Sequence, residues 1–142
     1  MAEISTIGVI GAGQMGAGIA QVAAMSGFTT VLWDMDAAAL GRGYNSIKSQ
    51  LERLVEKEKI SADASRTAFS RISMAKNVAD FSNCDLAIEA IIENVDIKGK
   101  LLRELDATLR PTALIGSNTS SISITKLAAV TRRRIKSWEF IS

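Results

Sequence analysis

Apolar residues recur along this chain at strand spacing, then at helix spacing, and the two patterns keep alternating. Ile4 to Ile10 is apolar and β-branched and predicts a strand; Gly11-Ala12-Gly13-Gln14-Met15-Gly16 follows, and small apolar residues from Met15 to about Met25 predict a helix. Gly27 marks the end of that helix, and Thr29 to Trp33 predicts a second strand that stops at Asp34. From about Asp36 to Glu58, Leu40, Ile47, Leu51, Leu54 and Val55 fall on one helical face with Lys and Glu between them. A shorter helix starts at the N-cap candidate Ser61 and gives way to a brief strand at Ile72 to Met74.

The second half repeats the alternation. Asp85 to Ile92 is nearly continuous in apolar residues, as in a parallel strand covered on both faces. Ile97, Leu101, Leu102, Leu105 and Leu109 mark a helix that must stop before Pro111. Thr112 to Gly116 predicts a further strand, Ser117 to Ser121 a polar loop, and Ile122 to Val130 a short helix. Strand and helix alternating throughout predict an α/β, doubly wound, Rossmann-type, mostly parallel sheet, with the two helices between 36 and 70 inserted as a helical hairpin. With the final strand read as lost, an exposed apolar edge after Thr112 to Gly116 would be an aggregation risk.

Composition narrows the chemistry. The 142 residues are 47% hydrophobic and 23% charged, which excludes a disordered or low-complexity chain. A formal charge of +2 gives no surplus to drive nucleic-acid or membrane-surface binding, and neither partner is expected. One cysteine, Cys84, excludes an internal disulfide, and zero histidines argue against a metal site of ordinary ligand set. No stretch of about 18 uncharged apolar residues appears, and Met1-Ala2-Glu3 lacks the basic start and cleavage site of a signal peptide, so a soluble, cytoplasmic location is expected.

The glycine run carries the clearest chemistry. A lone G-x-G-x-x-G is weak, because glycines gather at any tight turn. Here it follows a strand, opens a helix, and is answered by Asp34 at the end of the next strand, 21 residues after Gly13. Gly11 would permit the turn, Gly13 would let backbone N–H groups approach a pyrophosphate, and Gly16 would let the helix pack on the strand. Asp34 would accept from the adenosine ribose hydroxyls and repel a 2′-phosphate, favouring NAD over NADP.

Longer strings carry a family resemblance: Ile10-Gly-Ala-Gly-Gln-Met-Gly-Ala-Gly-Ile-Ala-Gln21, Asp85-Leu-Ala-Ile-Glu-Ala-Ile-Ile-Glu93 with Lys98, and Ser117-Asn-Thr-Ser-Ser-Ile-Ser-Ile-Thr125. The chain resembles the NAD-binding domain of the 3-hydroxyacyl-CoA dehydrogenases, close to the bacterial 3-hydroxybutyryl-CoA enzymes, from Ile4 to about Arg133. That resemblance implies NAD cofactor contacts by Gly11, Ala12, Gly13, Gln14, Met15, Gly16 and Asp34. It implies that Glu93 and Lys98 lie at the nicotinamide ribose, that Asn118 lies beside the nicotinamide, and that Ser120 touches both the cofactor and the substrate's 3-oxygen as a catalytic residue. Lys57 matches a basic residue that approaches the CoA portion of an acyl-CoA substrate. The parent reaction would be hydride transfer between a 3-hydroxyacyl-CoA and NAD+ in fatty-acid and butanoate metabolism.

The chain also departs from the family pattern. The family's catalytic histidine and the glutamate that orients it have no counterpart, and Ile141 falls at the histidine's place. Removing the hydroxyl proton needs a base, which Ile cannot supply. Residues 1–142 are therefore expected to be an incomplete NAD-binding domain, departing from the family after about residue 133, without the C-terminal helical domain that supplies most of the dimer interface, and inactive alone. Trp138 to Ser142 can be encoded so that the same bases, read two later, give Gly-Ile-His-Phe, as a reading-frame change would leave. Two other readings stay open: a free-standing, non-catalytic NAD(H)-binding module, and the NAD-binding domain of another hydroxy-acid dehydrogenase.

Other signals have plainer readings. Tyr44 and Lys48 have the Y-x-x-x-K spacing of a short-chain dehydrogenase pair, but they follow the second strand, near the adenosine end, and read as helix surface. Arg132-Arg133-Arg134 reads as a solvated triplet and Cys84 as a packed thiol.

Overall fold

The computed structural model describes residues 4–90, 95–117 and 135–137. Six strands, β1 (Thr6–Ile10), β2 (Thr29–Trp33), β3 (Ile72–Met74), β4 (Leu86–Glu89), β5 (Leu114–Ser117) and β6 (Ile135–Ser137), form one sheet in the order 3-2-1-4-5-6. Every neighbouring pair is parallel. The order reverses between β1 and β4, and this is the switch point at which doubly wound sheets bind ligands. The inserted hairpin is present: α2 (Ala37–Glu56) and α3 (Ala62–Ser70) lie between β2 and β3.

Strand alternation divides the core. Ile7, Val9, Leu32, Leu86 and Ile88 face α1 (Gln14–Met25), α2 and α3, where Ala20, Ala23 and Ala24 let α1 lie close to the sheet. Ile10, Ala87 and Ile115 face the other way, onto Phe81 from a 3₁₀ turn at Val78–Phe81 and onto Leu101, Leu102 and Leu105 of α4 (Val95–Thr108). The amphipathic stripe expected of residues 36 to 58 is realised by Leu40, Ile47 and Leu51 on the buried face of α2.

Local chemistry sets the helix ends. Asp36 caps α2 by accepting from the Ala38 amide at 2.9 Å, and the Ser61 hydroxyl caps α3 by accepting from Ala64 at 3.0 Å. Gly27 adopts φ 102° and ends α1, as its position in the sequence implied.

Two elements go beyond the sequence reading. The 3₁₀ turn is one, and β6 is the other: β6 pairs with β5 through Ile115↔Ile135, Gly116↔Lys136 and Ser117↔Ser137, so β5 is an interior strand of the sheet. Taking the final strand as lost leaves Ile135–Ser137 without an assignment in the sequence reading. The expected helix at 122–130 and the loop at 118–121 lie outside the described residues. Among the described residues no helix is long and apolar enough to cross a membrane.

Candidate dinucleotide site

The site begins where β1 stops. Gly11 leaves the strand at φ 105°, a left-handed value that side-chain-bearing residues rarely adopt, while its amide donates to the Trp33 carbonyl at 2.8 Å. The chain thus turns sharply yet stays fastened to β2. Gly16, on the first turn of α1, is required by packing: a Cβ there would lie 1.7 Å from the Gly11 carbonyl oxygen.

Gly13 is different. Its φ of −71° and ψ of −169° suit any residue, and a Cβ built on it would meet nothing within 4 Å. Neither backbone conformation nor protein packing asks for glycine at this position. As the N-cap of α1 it also offers no side chain to the helix, whose positive end carries no acidic residue in its first turn. Open space over an uncapped helix start, in front of backbone amides, is a cradle that fits a phosphate group.

Asp34 closes the opposite side. One carboxylate oxygen accepts from the Ala12 amide at 2.8 Å and the other from the Asp36 amide at 2.8 Å. The residue therefore ties the glycine loop to the carboxyl end of β2. A carboxylate has about four acceptor positions, so each oxygen keeps capacity for a ribose hydroxyl. Met15 and Met35, next to the loop and to Asp34 in sequence, are 54% and 61% exposed, placing apolar surface where a nucleotide would cover it.

The sequence reading missed the part that α2 plays. Gly43 sits so close to the glycine loop that a Cβ would lie 2.4 Å from the Ala12 carbonyl oxygen. A cleft of about 410 Å³ opens beside this contact, lined by Gly13, Gln14 and Ala17 on one side and Arg42, Ser46 and Gln50 on the other. Arg42 is the one charged residue among its described lining, and its sign suits a phosphate. A glycine inside an amphipathic helix was the available signal for this close approach, but nothing local says which backbone it meets.

The remaining candidates divide. Gly11, Ala12, Gly13, Gln14, Met15, Gly16 and Asp34 come together at the carboxyl ends of β1 and β2. Glu93, Asn118 and Ser120 lie outside the described residues; Lys98 belongs to α4, with its side chain outside them. Lys57 is the exposed C-cap of α2, about 20 Å along the helix axis from Gly43, where α2 meets the glycine loop. Tyr44 is half-buried rather than a free surface residue: its ring lies 4.7 Å from that of Phe69 and ties α2 to α3.

Two groups with displaced pKa values sit at the amino end of β4, away from the site. The Asp85 carboxyl is lowered to about 2, first by backbone N–H donation from Ser5 and Thr6 at 2.9 and 3.0 Å, and further by the Ser5 hydroxyl and Arg110. Cys84 is buried and its thiol is pushed up to about 11, chiefly by desolvation, so it is packed and unreactive rather than nucleophilic.

A parallel sheet of this order, a glycine loop opening α1 and a carboxylate closing the next strand define a dinucleotide-binding domain of the doubly wound class. Residues 6–140 match the family of the 3-hydroxyacyl-CoA dehydrogenase NAD-binding domain, and the chain belongs to that family, whose cofactor is NAD. It is 48% identical over 132 residues to a 3-hydroxybutyryl-CoA dehydrogenase of Bradyrhizobium diazoefficiens, covering 93% of this chain and 45% of that protein. A probable 3-hydroxybutyryl-CoA dehydrogenase of Deinococcus radiodurans is 48% identical over 126 residues, covering 89% of this chain and 45% of that protein. The crystal structure of (S)-3-hydroxybutyryl-CoA dehydrogenase from Ralstonia eutropha superposes with a TM-score of 0.91 at 42% identity, over 98% of this chain and 50% of that one. The chain thus spans about half the length of the relatives it matches, and the family match runs past residue 133 to include β6.

Proposed function

We propose that this chain is the NAD-binding part of a 3-hydroxyacyl-CoA dehydrogenase that interconverts a 3-hydroxyacyl-CoA, foremost 3-hydroxybutyryl-CoA, and the 3-oxoacyl-CoA. Its place would be in fatty-acid and butanoate metabolism in the cytoplasm. The observation that carries the reading is the open, uncapped start of α1 at Gly13, paired with Asp34 at the end of β2.

The chain's own residues divide the work. Backbone amides from Gly13 onward hold the pyrophosphate, and Asp34 accepts from the adenosine ribose hydroxyls while keeping the loop closed through Ala12. On the family pattern, Glu93 and Lys98 serve the nicotinamide ribose, Asn118 the nicotinamide, and Ser120 the cofactor and the substrate's 3-oxygen. Lys57, at the C-terminal end of α2, approaches the CoA portion of the substrate. NAD, when bound, supplies the hydride acceptor for C3.

The 142 residues contain no histidine, so the base that takes the hydroxyl proton is not the family's histidine within them. This favours a second statement: in isolation the chain binds NAD(H) without turning over substrate. Titrating the purified chain with NADH by fluorescence, then adding acetoacetyl-CoA, tests both parts. Saturable NADH binding without oxidation is expected. Absence of binding overturns the cofactor assignment, and oxidation at ordinary enzyme rates overturns the claim that the chain alone is inactive.

A further inference from the structure

Methionine is ordinarily a core residue, yet all four described methionines are exposed, Met35 most of all at 61%. Three of them lie along the carboxyl ends of the first strands. Met15 is in the first turn of α1, Met35 follows β2, and Met74 ends β3 in register with Leu32 of β2. Met25 ends α1, at the opposite end of that helix from the glycine loop. The chain's one cysteine does not compete with these sulfurs for an oxidant, because Cys84 is buried and its thiol holds its proton.

Met35 has the most defined place. One oxygen of Asp34 accepts from the Asp36 amide at 2.8 Å, closing a turn with Met35 at its apex, while the other accepts from Ala12 at 2.8 Å. The same carboxylate receives the ribose hydroxyls, so an adenosine held there brings its base within reach of the exposed Met35 side chain. A thioether offers that base a soft apolar surface. A sulfoxide offers a polar oxygen that the base would strip of water.

We propose that Met35 is an oxidation site through which peroxide lowers the chain's hold on the dinucleotide, and which bound dinucleotide shields. A sulfur lone pair attacks one peroxide oxygen and the O–O bond breaks. The sulfur keeps that oxygen and is oxidised by two electrons, while the peroxide is reduced to water, or to an alcohol in the case of an organic hydroperoxide. This role rests on the NAD reading and adds to it a means of modulating the same site.

Hydrogen peroxide is the probe. The whole 142-residue chain is treated with and without saturating NADH, freed of peroxide, and read by peptide mass spectrometry and by NADH fluorescence titration. NADH should slow oxidation of Met35 at least about fivefold and leave that of Met25 within about twofold, and oxidation of the ligand-free chain should weaken NADH at least about fivefold. Met35→Leu, compared only with itself before and after peroxide, should weaken by less than about twofold. Met35 shielded no more than Met25, or the same loss of affinity in parent and Met35→Leu, overturns the proposal. Should the Leu variant not melt cooperatively, the shielding of Met35 against Met25 in the parent decides. A parent chain that binds no NADH before treatment overturns the cofactor reading itself, and the role of Met35 with it.

Discussion

Gly13→Ala separates ligand binding from folding, because the protein has room for the methyl group and the ligand does not. With φ −71°, ψ −169° and nothing within 4 Å of a Cβ, the folded backbone accepts alanine unstrained. Alanine is a poorer N-cap than glycine by roughly 0.5–1 kcal/mol, while stiffening the unfolded chain returns about 0.4–1 kcal/mol. The two nearly cancel, so the ligand-free melting temperature should move by no more than about 2 °C. Binding should respond far more. The methyl group projects into the space a phosphate needs in order to reach the amides, and losing one charge-assisted hydrogen bond, worth about 1.5–3 kcal/mol, weakens NADH roughly tenfold to a hundredfold. At a concentration of 100 times the parent's dissociation constant, NADH stabilises the parent by about 2.7 kcal/mol. A thirtyfold weaker variant would gain only about 1 kcal/mol under the same conditions. Fluorescence titration and paired melts with and without NADH read both quantities. A variant that binds NADH as tightly as the parent, or that loses more than about 1 kcal/mol of stability without ligand, would refute the reasoning.

Three further outcomes follow from named contacts. Asp34→Ala removes an acceptor from the Ala12 and Asp36 amides, so it should cost about 1–3 kcal/mol in urea unfolding as well as weakening NADH at least about tenfold; unchanged stability would show that the carboxylate does not hold the loop. Gly43→Ala places a methyl group 2.4 Å from the Ala12 carbonyl oxygen and should destabilise by about 1–3 kcal/mol, with no loss expected if α2 did not press on the glycine loop. Asp85 has its folded pKa lowered from 3.8 to about 2, so the stability it contributes is fully present above the unfolded value and is lost as pH falls through the folded one. Parent and Asp85→Asn unfolding midpoints, measured at pH 6 and pH 3, should therefore converge toward acid; a constant gap would contradict the shift.

Much of this architecture could be read before any coordinates, because the signals were local. Thr29 to Trp33 and Ile72 to Met74 appear as strands at the expected residues, and Ser61 caps α3 as its residue type implied. Gly11, Gly16 and Asp34 could be assigned because the turn, the close packing and the strand-ending acid are all encoded within one βαβ unit. What escaped depends on contacts distant in sequence. Gly43 meets Ala12 across 31 residues, and Asp34 closes the loop through an amide 22 residues away. β6 escaped for the same reason: pairing partners, more than the short run itself, make Ile135–Ser137 a strand.

The most direct measurement is an amide-resolved NMR titration of the purified chain with NADH. Saturable shifts centred on Ala12, Gly13, Gln14 and Gly16 and extending to Asp34 are predicted, with ADP-ribose reproducing this adenylate-side set. No shift at millimolar NADH, or shifts gathered at the amino ends of the strands around Ser5 and Asp85, would contradict the account.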